Sequence, residues 1–391
     1  MKDGIIPKVI VSSKARERIA AGHLWIYRSD IHSADGVQSG QIVHVTDRRR
    51  LLGSAFYSST SQIALRMLTF DDTQIGRDLF RQRLMTAAEL RRKIALETTT
   101  YRLVNGEADL LPSFIVDRYA DYIVIQLLSQ GTDSLRNLLV ELLEELFQPK
   151  CIVERSDARV RELEGLPLRA EVLKGSLPEE LVVELNGIKF KVDLLRGQKT
   201  GLFLDQRENY LAASQYARGR CLDCFTFAGG FALHLAQRAE SVLAIDISPT
   251  AIQLATENAR LNGLQHICFE VANVFDRLKQ MDEASETFDT VVLDPPAFAK
   301  SKLAVENAIR GYKEINLRAM KILRPGGILI TCSCSYNVDE ATFLQVLRSA
   351  AEDSGRKFQL LEQRRQARDH TVLLQMPETY YLKCMILRML A

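Results

Sequence analysis

From residue 199 onward, short apolar runs of strand character alternate with helical stretches, and this alternation constrains the fold more than any other feature of the chain. Strands are expected at Cys221–Cys224, Val242–Asp246, Cys268–Val271, Thr290–Asp294 and Ile328–Ser333. Helices over Arg207–Tyr216, Phe231–Gln237, Pro249–Leu261 and Gly311–Leu323 fill the gaps. Strand, helix, strand in succession returns the chain parallel to itself, so the pattern predicts an α/β fold with a doubly wound, Rossmann-like sheet. The tail departs from this rule. Phe358–Glu362 and Tyr380–Leu387 read as strands with no helix between them, so an antiparallel pair is expected at one edge.

The first half is built differently. Residues 1–73 carry strand-like runs at Lys8–Val11, Leu24–Tyr27, Gln41–Val45, Leu51–Tyr57 and Ile63–Leu68, with one basic helix over Lys14–Ala21. A small β-barrel fits this pattern. From Gly76 to Leu96 the period becomes helical. Strands are then expected at Phe114–Val116, Tyr122–Leu128 and Cys151–Glu154, around a helix over Asp133–Phe147 opened by an Asp/Ser cap. Asn186-Gly187 sits between the runs Leu181–Leu185 and Ile188–Leu194, the signature of a hairpin with a type I′ turn. The expected division is a small β domain at 1–73, an α+β central domain at 74–190 and the α/β domain at 191–391.

Charge is unevenly distributed. The net formal charge is +2, yet residues 1–100 hold 16 Lys/Arg against 10 Asp/Glu, a balance of +6, which leaves −4 for the remainder. The N-terminal part is therefore the better candidate for a polyanion contact. The run Arg48-Arg49-Arg50 reads as a solvated turn, and Trp25 as a core residue of the small barrel. No stretch approaches the ~18 apolar residues of a membrane helix, and the N-terminus lacks a leader pattern. Seven cysteines, an odd number spread thinly, point to a reducing cytoplasm. Cys221-x-x-Cys224 is a lone half-motif on an apolar strand and the six histidines are scattered, so no metal site is expected.

The candidate chemistry lies at the strand ends. The first strand of the alternating region runs into Asp223-Cys224-Phe225-Thr226-Phe227-Ala228-Gly229-Gly230, a turn whose small residues let a ligand approach the backbone. This is not the glycine fingerprint of nicotinamide enzymes. The second strand ends at Asp246, 23 residues after Asp223, where a carboxylate can accept both hydroxyls of a ribose. Ser248-Pro249 is the better helix cap there. The fourth strand ends in Asp294-Pro295-Pro296-Ala297-Phe298, a rigid segment that holds a side chain and carbonyls at the ligand-binding edge. The fifth runs into Thr331-Cys332-Ser333-Cys334-Ser335. Cys334 lies past the strand end, at the edge that Asp294 occupies, where a thiolate can attack a bound substrate. Cys332 lies two residues deeper, where burial makes a thiol inert.

On these residues the C-terminal half resembles class I S-adenosylmethionine-dependent methyltransferases. The whole chain is similar to bacterial large-subunit (23S) ribosomal RNA cytosine-5 methyltransferases with an N-terminal PUA domain. Gly22–Tyr27 resembles the PUA signature. Leu103–Asp109, Val116–Tyr119, Glu154–Asp157 and Arg161–Gly165 resemble the central domain, and Lys199–Arg207 the segment that enters the cofactor pocket. The resemblance implies S-adenosylmethionine bound by Asp205, Arg207, Phe225, Gly229, Asp246, Asn273 and Asp294. It implies catalysis by Cys334 and Asp294, and RNA contacts by Lys14, Arg16 and Arg28 on the PUA module. Large-subunit rRNA is the implied partner, with no membrane and no metal, and a homodimer is left open. Other RNA cytosine-5 enzymes carry a second cysteine directly after Asp-x-Pro, used in product release; Ala297 stands there in this chain.

Two further readings share these residues. A guanine or adenine N-methyltransferase acting on rRNA can use the same fold and Asp-Pro-Pro motif but needs no nucleophilic cysteine. A non-catalytic RNA-binding assembly factor would need no cofactor pocket.

Overall fold

The computed structural model describes residues 6–95, 98–197, 201–298 and 305–390. Leu96, Lys199 and Thr200, which enter the sequence readings above, lie outside the described residues. The described chain forms two compact units. One comprises residues 1–181, 192–201 and 368–379; the other comprises 182–191, 202–367 and 380–391.

In the first unit, strands β1 (Lys8–Val11), β2 (Trp25–Tyr27), β3 (Ile31–Ser33), β4 (Ile42–Thr46), β5 (Leu51–Tyr57) and β6 (Ile63–Thr69) form one six-stranded sheet in the order β2-β6-β5-β4-β1-β3. Only β1 and β4 pair in parallel. Helix α1 (Ser13–Ala20) is capped by the Ser12 hydroxyl, which accepts from the Ala15 amide. Its apolar face, Ala15 and Ile19, joins Val9, Leu24, Ile26, Val43, Leu65 and Met67 in the core. Met376, from the 368–379 segment, completes that core.

Helix α2 (Arg77–Ile94) comes next, then strands β7 (Thr100–Asn105), β8 (Phe114–Tyr119), β9 (Tyr122–Leu127), β10 (Cys151–Ser156) and β11 (Arg169–Gly175), ordered β11-β10-β9-β8-β7. The expected helix Asp133–Phe147 is two helices, α3 (Gln130–Ser134) and α4 (Arg136–Phe147), interrupted at Leu135. Ser129 and Thr132 cap α3 reciprocally, so the helical segment starts three residues earlier than expected. The interval between β9 and β10 allows their parallel pairing. A short helix α5 (Val160–Leu163) precedes β11. Phe56 and Leu68 of the first sheet share a core with Phe80, Leu84, Leu103, Val116 and Ile125. The β-rich module thus keeps a core of its own, and Phe56 and Leu68 also tie it into the core of the central α+β region.

The second unit opens with the hairpin of β12 (Leu181–Leu185) and β13 (Ile188–Val192). Asn186 and Gly187 both have positive φ, +54° and +79°, which is the type I′ geometry. Strands β14 (Arg220–Cys224), β15 (Ser241–Asp246), β16 (Ile267–Val271), β17 (Phe288–Leu293), β18 (Leu323–Ser333), β19 (Phe358–Arg365) and β20 (Lys383–Met389) form a seven-stranded sheet. Its order is β16-β15-β14-β17-β18-β20-β19; the first five strands are parallel, and β20 runs antiparallel to β18 and β19. Helices α6 (Arg207–Tyr216), α7 (Gly230–Leu235), α8 (Pro249–Leu261), α9 (Val274–Glu283), α10 (Val305–Lys321) and α11 (Glu340–Ser354) accompany the sheet. The strand order reverses between β14 and β17, and ligands collect beyond the carboxyl ends of strands at such a point. Among the described residues no helix is long and apolar enough to cross a membrane.

Candidate active site

The loop after β14 is backbone-strained. Phe225 and Phe227 adopt positive φ, +66° and +48°, as does Gly229 at +86°. Left-handed non-glycine residues cost roughly 1–3 kcal/mol each and persist where surrounding contacts impose them. Two carboxylates do so here. Asp223 is fully buried and accepts from the Thr226 hydroxyl (2.6 Å) and the Ala232 amide (2.9 Å). Burial, the largest influence, pushes its pKa up to about 7. Asp246, half-buried at the end of β15, accepts from the Phe227 amide through Oδ2 and from the Ser248 amide through Oδ1, both at 2.9 Å. Ser248 itself caps α8, with Pro249 in the first turn. Asp246 is thus released from helix capping, and its two oxygens are fixed by main-chain donors with acceptor capacity remaining. The donor chemistry suits a vicinal diol, so the residues present fit the ribose of S-adenosylmethionine.

Asn273 stands at the start of α9, and its Oδ1 accepts from the Phe275 and Asp276 amides. It is therefore a helix cap as well as a candidate adenine contact. Beside it, Phe298 packs against the rings of Phe275 (6.0 Å between centroids) and Tyr312 (4.7 Å).

Asp294 comes directly after β17. Its Oδ1 accepts from Gln206 Nε2 at 2.8 Å, and Gln206 Oε1 accepts from Asn209 Nδ2 at 2.6 Å. Asn209 is in turn held by Arg364 Nε and the Arg365 carbonyl. Sequence reading singled out Asp205 and Arg207 but passed over Gln206, the residue between them that reaches Asp294. Asp205 accepts from the Tyr381 hydroxyl at 2.9 Å, and Arg207 is buried beside Glu208. A polar residue inside a short 3₁₀ turn at 204–206, next to a helix start, was the available signal.

The two cysteines differ as expected. Cys332 is fully buried, opposite Cys384 in the β18–β20 ladder, and burial raises its thiol well above the ordinary range. Cys334 is half-exposed beyond the strand end, and its Sγ donates to the Pro295 carbonyl at 3.8 Å. The thiol therefore lies against the Asp294-Pro295-Pro296 segment. The neighbouring Ser335 hydroxyl is 3.0 Å from the Tyr312 hydroxyl. The structure also brings in Lys383, which sequence reading missed. This lysine is buried at the start of β20 and donates to the Ser335 carbonyl at 2.7 Å.

In the first unit, Lys14 and Arg16 lie on α1, with Arg16 3.6 Å from Asp47. Arg28 has a structural task, donating to the Ser58 and Ser61 carbonyls. Trp25 donates its indole N–H to Glu107 and packs against the barrel core. The Arg48–Arg50 turn is exposed and held by Asp47.

A parallel sheet with an antiparallel seventh strand, an acidic residue closing its second strand and Asp-Pro-Pro closing its fourth define a class I S-adenosylmethionine-dependent methyltransferase. A family model described as S-adenosylmethionine-dependent methyltransferase matches residues 166–364, and one described as PUA-like domain matches residues 9–70. The chain is 42% identical over 387 residues to the ribosomal RNA large subunit methyltransferase I of Tolumonas auensis, covering 96% of this chain and 98% of that one. It is also 42% identical over 376 residues to the same-named protein of Shewanella amazonensis, covering 94% and 95%. A chain described as a SAM-dependent methyltransferase from Streptococcus mutans superposes with TM-score 0.84 at 22% identity, over 98% of this chain and 100% of that one. SMU.776, solved in complex with SAH, gives TM-score 0.85 at 22% identity with the same coverage. The chain belongs to the ribosomal RNA large subunit methyltransferase I family.

Proposed function

We propose that this enzyme methylates C5 of a cytosine in 23S ribosomal RNA through a covalent adduct between Cys334 and C6 of the base. The observation that carries the reading is the placement of Cys334: half-exposed, past the end of β18, with its thiol on the Pro295 carbonyl. N-methylation has no use for a nucleophile at that point. The relatives named above are large-subunit rRNA methyltransferases, which supports the substrate class.

C5 of cytosine is a weak nucleophile. Attack of the Cys334 thiolate on C6 forms a C–S bond and moves electron density to C5, splitting one hard step into two easier ones. In this reading a protonated Asp294, steadied by Gln206, donates to N3 as negative charge develops on the ring, and the Pro295 carbonyl accepts from the N4 amino group. S-adenosylmethionine supplies an electrophilic methyl on a sulfonium. Asp246 and the Phe225–Gly229 loop would hold it, with Asn273 and the Phe275–Phe298 wall on the adenine side; Asp205 and Arg207 stay in the proposed cofactor set. A base, Asp294 or a water, then takes the C5 proton, the C5–C6 double bond reforms and the C6–S bond breaks to release the Cys334 thiolate. The base must leave its stack to reach this edge. Residues 1–73, 74–190 and 191–391 act as RNA-binding, central and catalytic parts, working on rRNA in the cytoplasm.

RNA carrying 5-fluorocytosine at the target lacks the proton whose loss frees the enzyme. Wild type and Cys332→Ala should form a denaturation-resistant adduct with it, and Cys334→Ala should not. An adduct in Cys334→Ala would overturn the assignment of the nucleophile. Methylated guanine or adenine, in place of 5-methylcytosine, in rRNA mapped from wild-type and deletion strains would overturn the reaction.

Two smaller effects test the binding assignments. Asp246→Ala should weaken S-adenosylmethionine binding by about 1.5–3 kcal/mol, the range for losing charge-assisted hydrogen bonds; unchanged affinity by calorimetry refutes the placement. Deleting residues 1–73 would strip Phe56 and Leu68 from a shared core and Arg66 from buried Glu164, so point variants are the cleaner test of RNA binding. Lys14→Glu with Arg16→Glu should weaken RNA binding and lower its salt slope by about 1–2. An unchanged slope would remove these residues from the RNA contact.

A further inference from the structure

A lysine buried inside a β-strand ladder needs a reason. Lys383 is 2% exposed and pairs with Ser333 across the β18–β20 ladder. The next three residues along β20, Cys384, Met385 and Ile386, are all apolar and buried. An ammonium in such surroundings is costly unless hydrogen-bonded and neutralised. Its hydrogen bonds are evident: Nζ donates to the Ser335 carbonyl at 2.7 Å and to the Tyr381 carbonyl at 2.9 Å. The first of these fixes the carbonyl of Ser335, the residue after Cys334.

The neutralising charge is the second question. Three acidic groups face this ammonium: the Cys334 thiol, Asp339 and Glu340. Both carboxylates favour the ammonium, and Lys383 in turn helps to lower Asp339, while each also bonds a neighbour of its own. Asp339 Oδ1 accepts from the Thr342 amide at the start of α11, and Glu340 Oε2 accepts from the Tyr380 hydroxyl at 2.6 Å. The 2.7 Å bond to the Ser335 carbonyl sets Lys383 against the residue next to Cys334, whose charged form favours the ammonium as the two carboxylates do.

We propose that Lys383 is a positioning residue that clasps the turn after β18 and stabilises Cys334 as its thiolate. The step is an acid dissociation: the S–H bond breaks, the proton passes to solvent water, and Lys383 keeps its own protons. A nearby cation favours the thiolate and so lowers the pKa of the thiol. Burial pulls Lys383 itself down to about 8, so below that pH the cation is present and acts on the thiol. Above it the effect fades as Lys383 loses its proton. The inference rests on the reading of Cys334 as nucleophile, which gives the low thiol pKa its purpose.

The test is the pH dependence of iodoacetamide alkylation at Cys334, read by mass spectrometry of its tryptic peptide. The full-length protein is used in a Cys268→Ser background, since Cys268 is the exposed cysteine. Wild type should alkylate with a midpoint below the ordinary thiol value of about 8.5. Lys383→Met and Lys383→Gln should raise that midpoint by about one unit and slow alkylation at pH 7 about tenfold, and Lys383→Arg should restore most of it. A wild-type midpoint at or above the ordinary value overturns the inference without any variant. So does an unchanged midpoint in a Met or Gln variant that melts cooperatively. The two readings fail separately. Continued methylation by Cys334→Ala removes the nucleophile but not the thiol shift; an absent shift with an inactive Cys334→Ala removes only the role of Lys383.

Discussion

Cys334→Ala is expected to lower rRNA methylation by on the order of 10³-fold or more while leaving S-adenosylmethionine affinity within about twofold of wild type. The size follows from the chemistry. Without the thiolate no density reaches C5, and the remaining groups can only bind and orient. Affinity is spared because the residues proposed to hold the cofactor, Asp246 and the 225–229 loop, belong to β14 and β15, whereas Cys334 lies beyond β18. Cys332→Ala should behave differently. Its thiol is fully buried against Cys384, so the substitution removes apolar packing, costing about 1–2 kcal/mol of stability with activity largely kept. Tritium transfer from labelled S-adenosylmethionine and isothermal calorimetry, run on both variants, give the comparison. Equal activity in Cys334→Ala and wild type would sink the covalent mechanism.

The residues of this site were unequally legible. Asp246, Asp294 and Cys334 each end a strand of a parallel sheet, and in such a sheet every strand end lies at the same edge. The alternating pattern therefore located them. Gln206 and Lys383 carry no such mark. Gln206 acts through a contact with Asp294 that spans 88 positions, and Lys383 through a ladder pairing with Ser333 that requires knowing that the last strand inserts beside β18. Sequence period says nothing of insertion order. The helices α9 and α11 also went unread, although Asn273 and Asp339 cap them; each cap was overshadowed by an expected ligand or by a neighbouring motif. The start of α3 was placed three residues late because its cap, Ser129, precedes a helix of only five residues that breaks at Leu135.

The central-domain segments that carried the family resemblance had no physical account at the sequence level. The structure supplies one. Asp109 and Asp117 bind Arg91 and Arg102, Glu107 binds the Trp25 indole, Glu154 binds Arg136, and Glu164 binds Arg66. Arg161 reaches Asp133 and the Leu127 carbonyl. These segments supply charged side chains to buried or half-buried contacts whose partners lie on other elements, 15 or more positions away. Local patterning cannot reveal them, because each residue alone looks like an ordinary surface charge.

That account makes a large prediction at Arg91. Its side chain is fully buried near the end of α2. The guanidinium donates two bonds to the Asp109 carboxylate, one to the Asp369 carbonyl at 2.7 Å and one to the Arg102 carbonyl at 3.1 Å. Asp109 also accepts from the Asn105 amide, and Asp369 Oδ2 from the Arg102 amide at 3.0 Å. Arg91 therefore joins α2, the turn after β7 and the 368–379 segment that brings Met376 into the barrel core. Arg91→Ala removes one partner of a buried pair and leaves the Asp109 carboxylate uncompensated, which costs about 3–5 kcal/mol. Pairing it with Asp109→Asn removes the orphaned charge and should recover part of the loss, since the amide oxygen can still accept from Asn105. The single tryptophan, Trp25, belongs to the same unit and reports its unfolding by fluorescence in urea. The Trp25 transition should move to markedly lower urea in Arg91→Ala and partly return in the double variant. A midpoint shift worth less than about 1 kcal/mol in Arg91→Ala would mean that the pair contributes no more than an exposed one, and that the 368–379 segment is held by its apolar contacts alone.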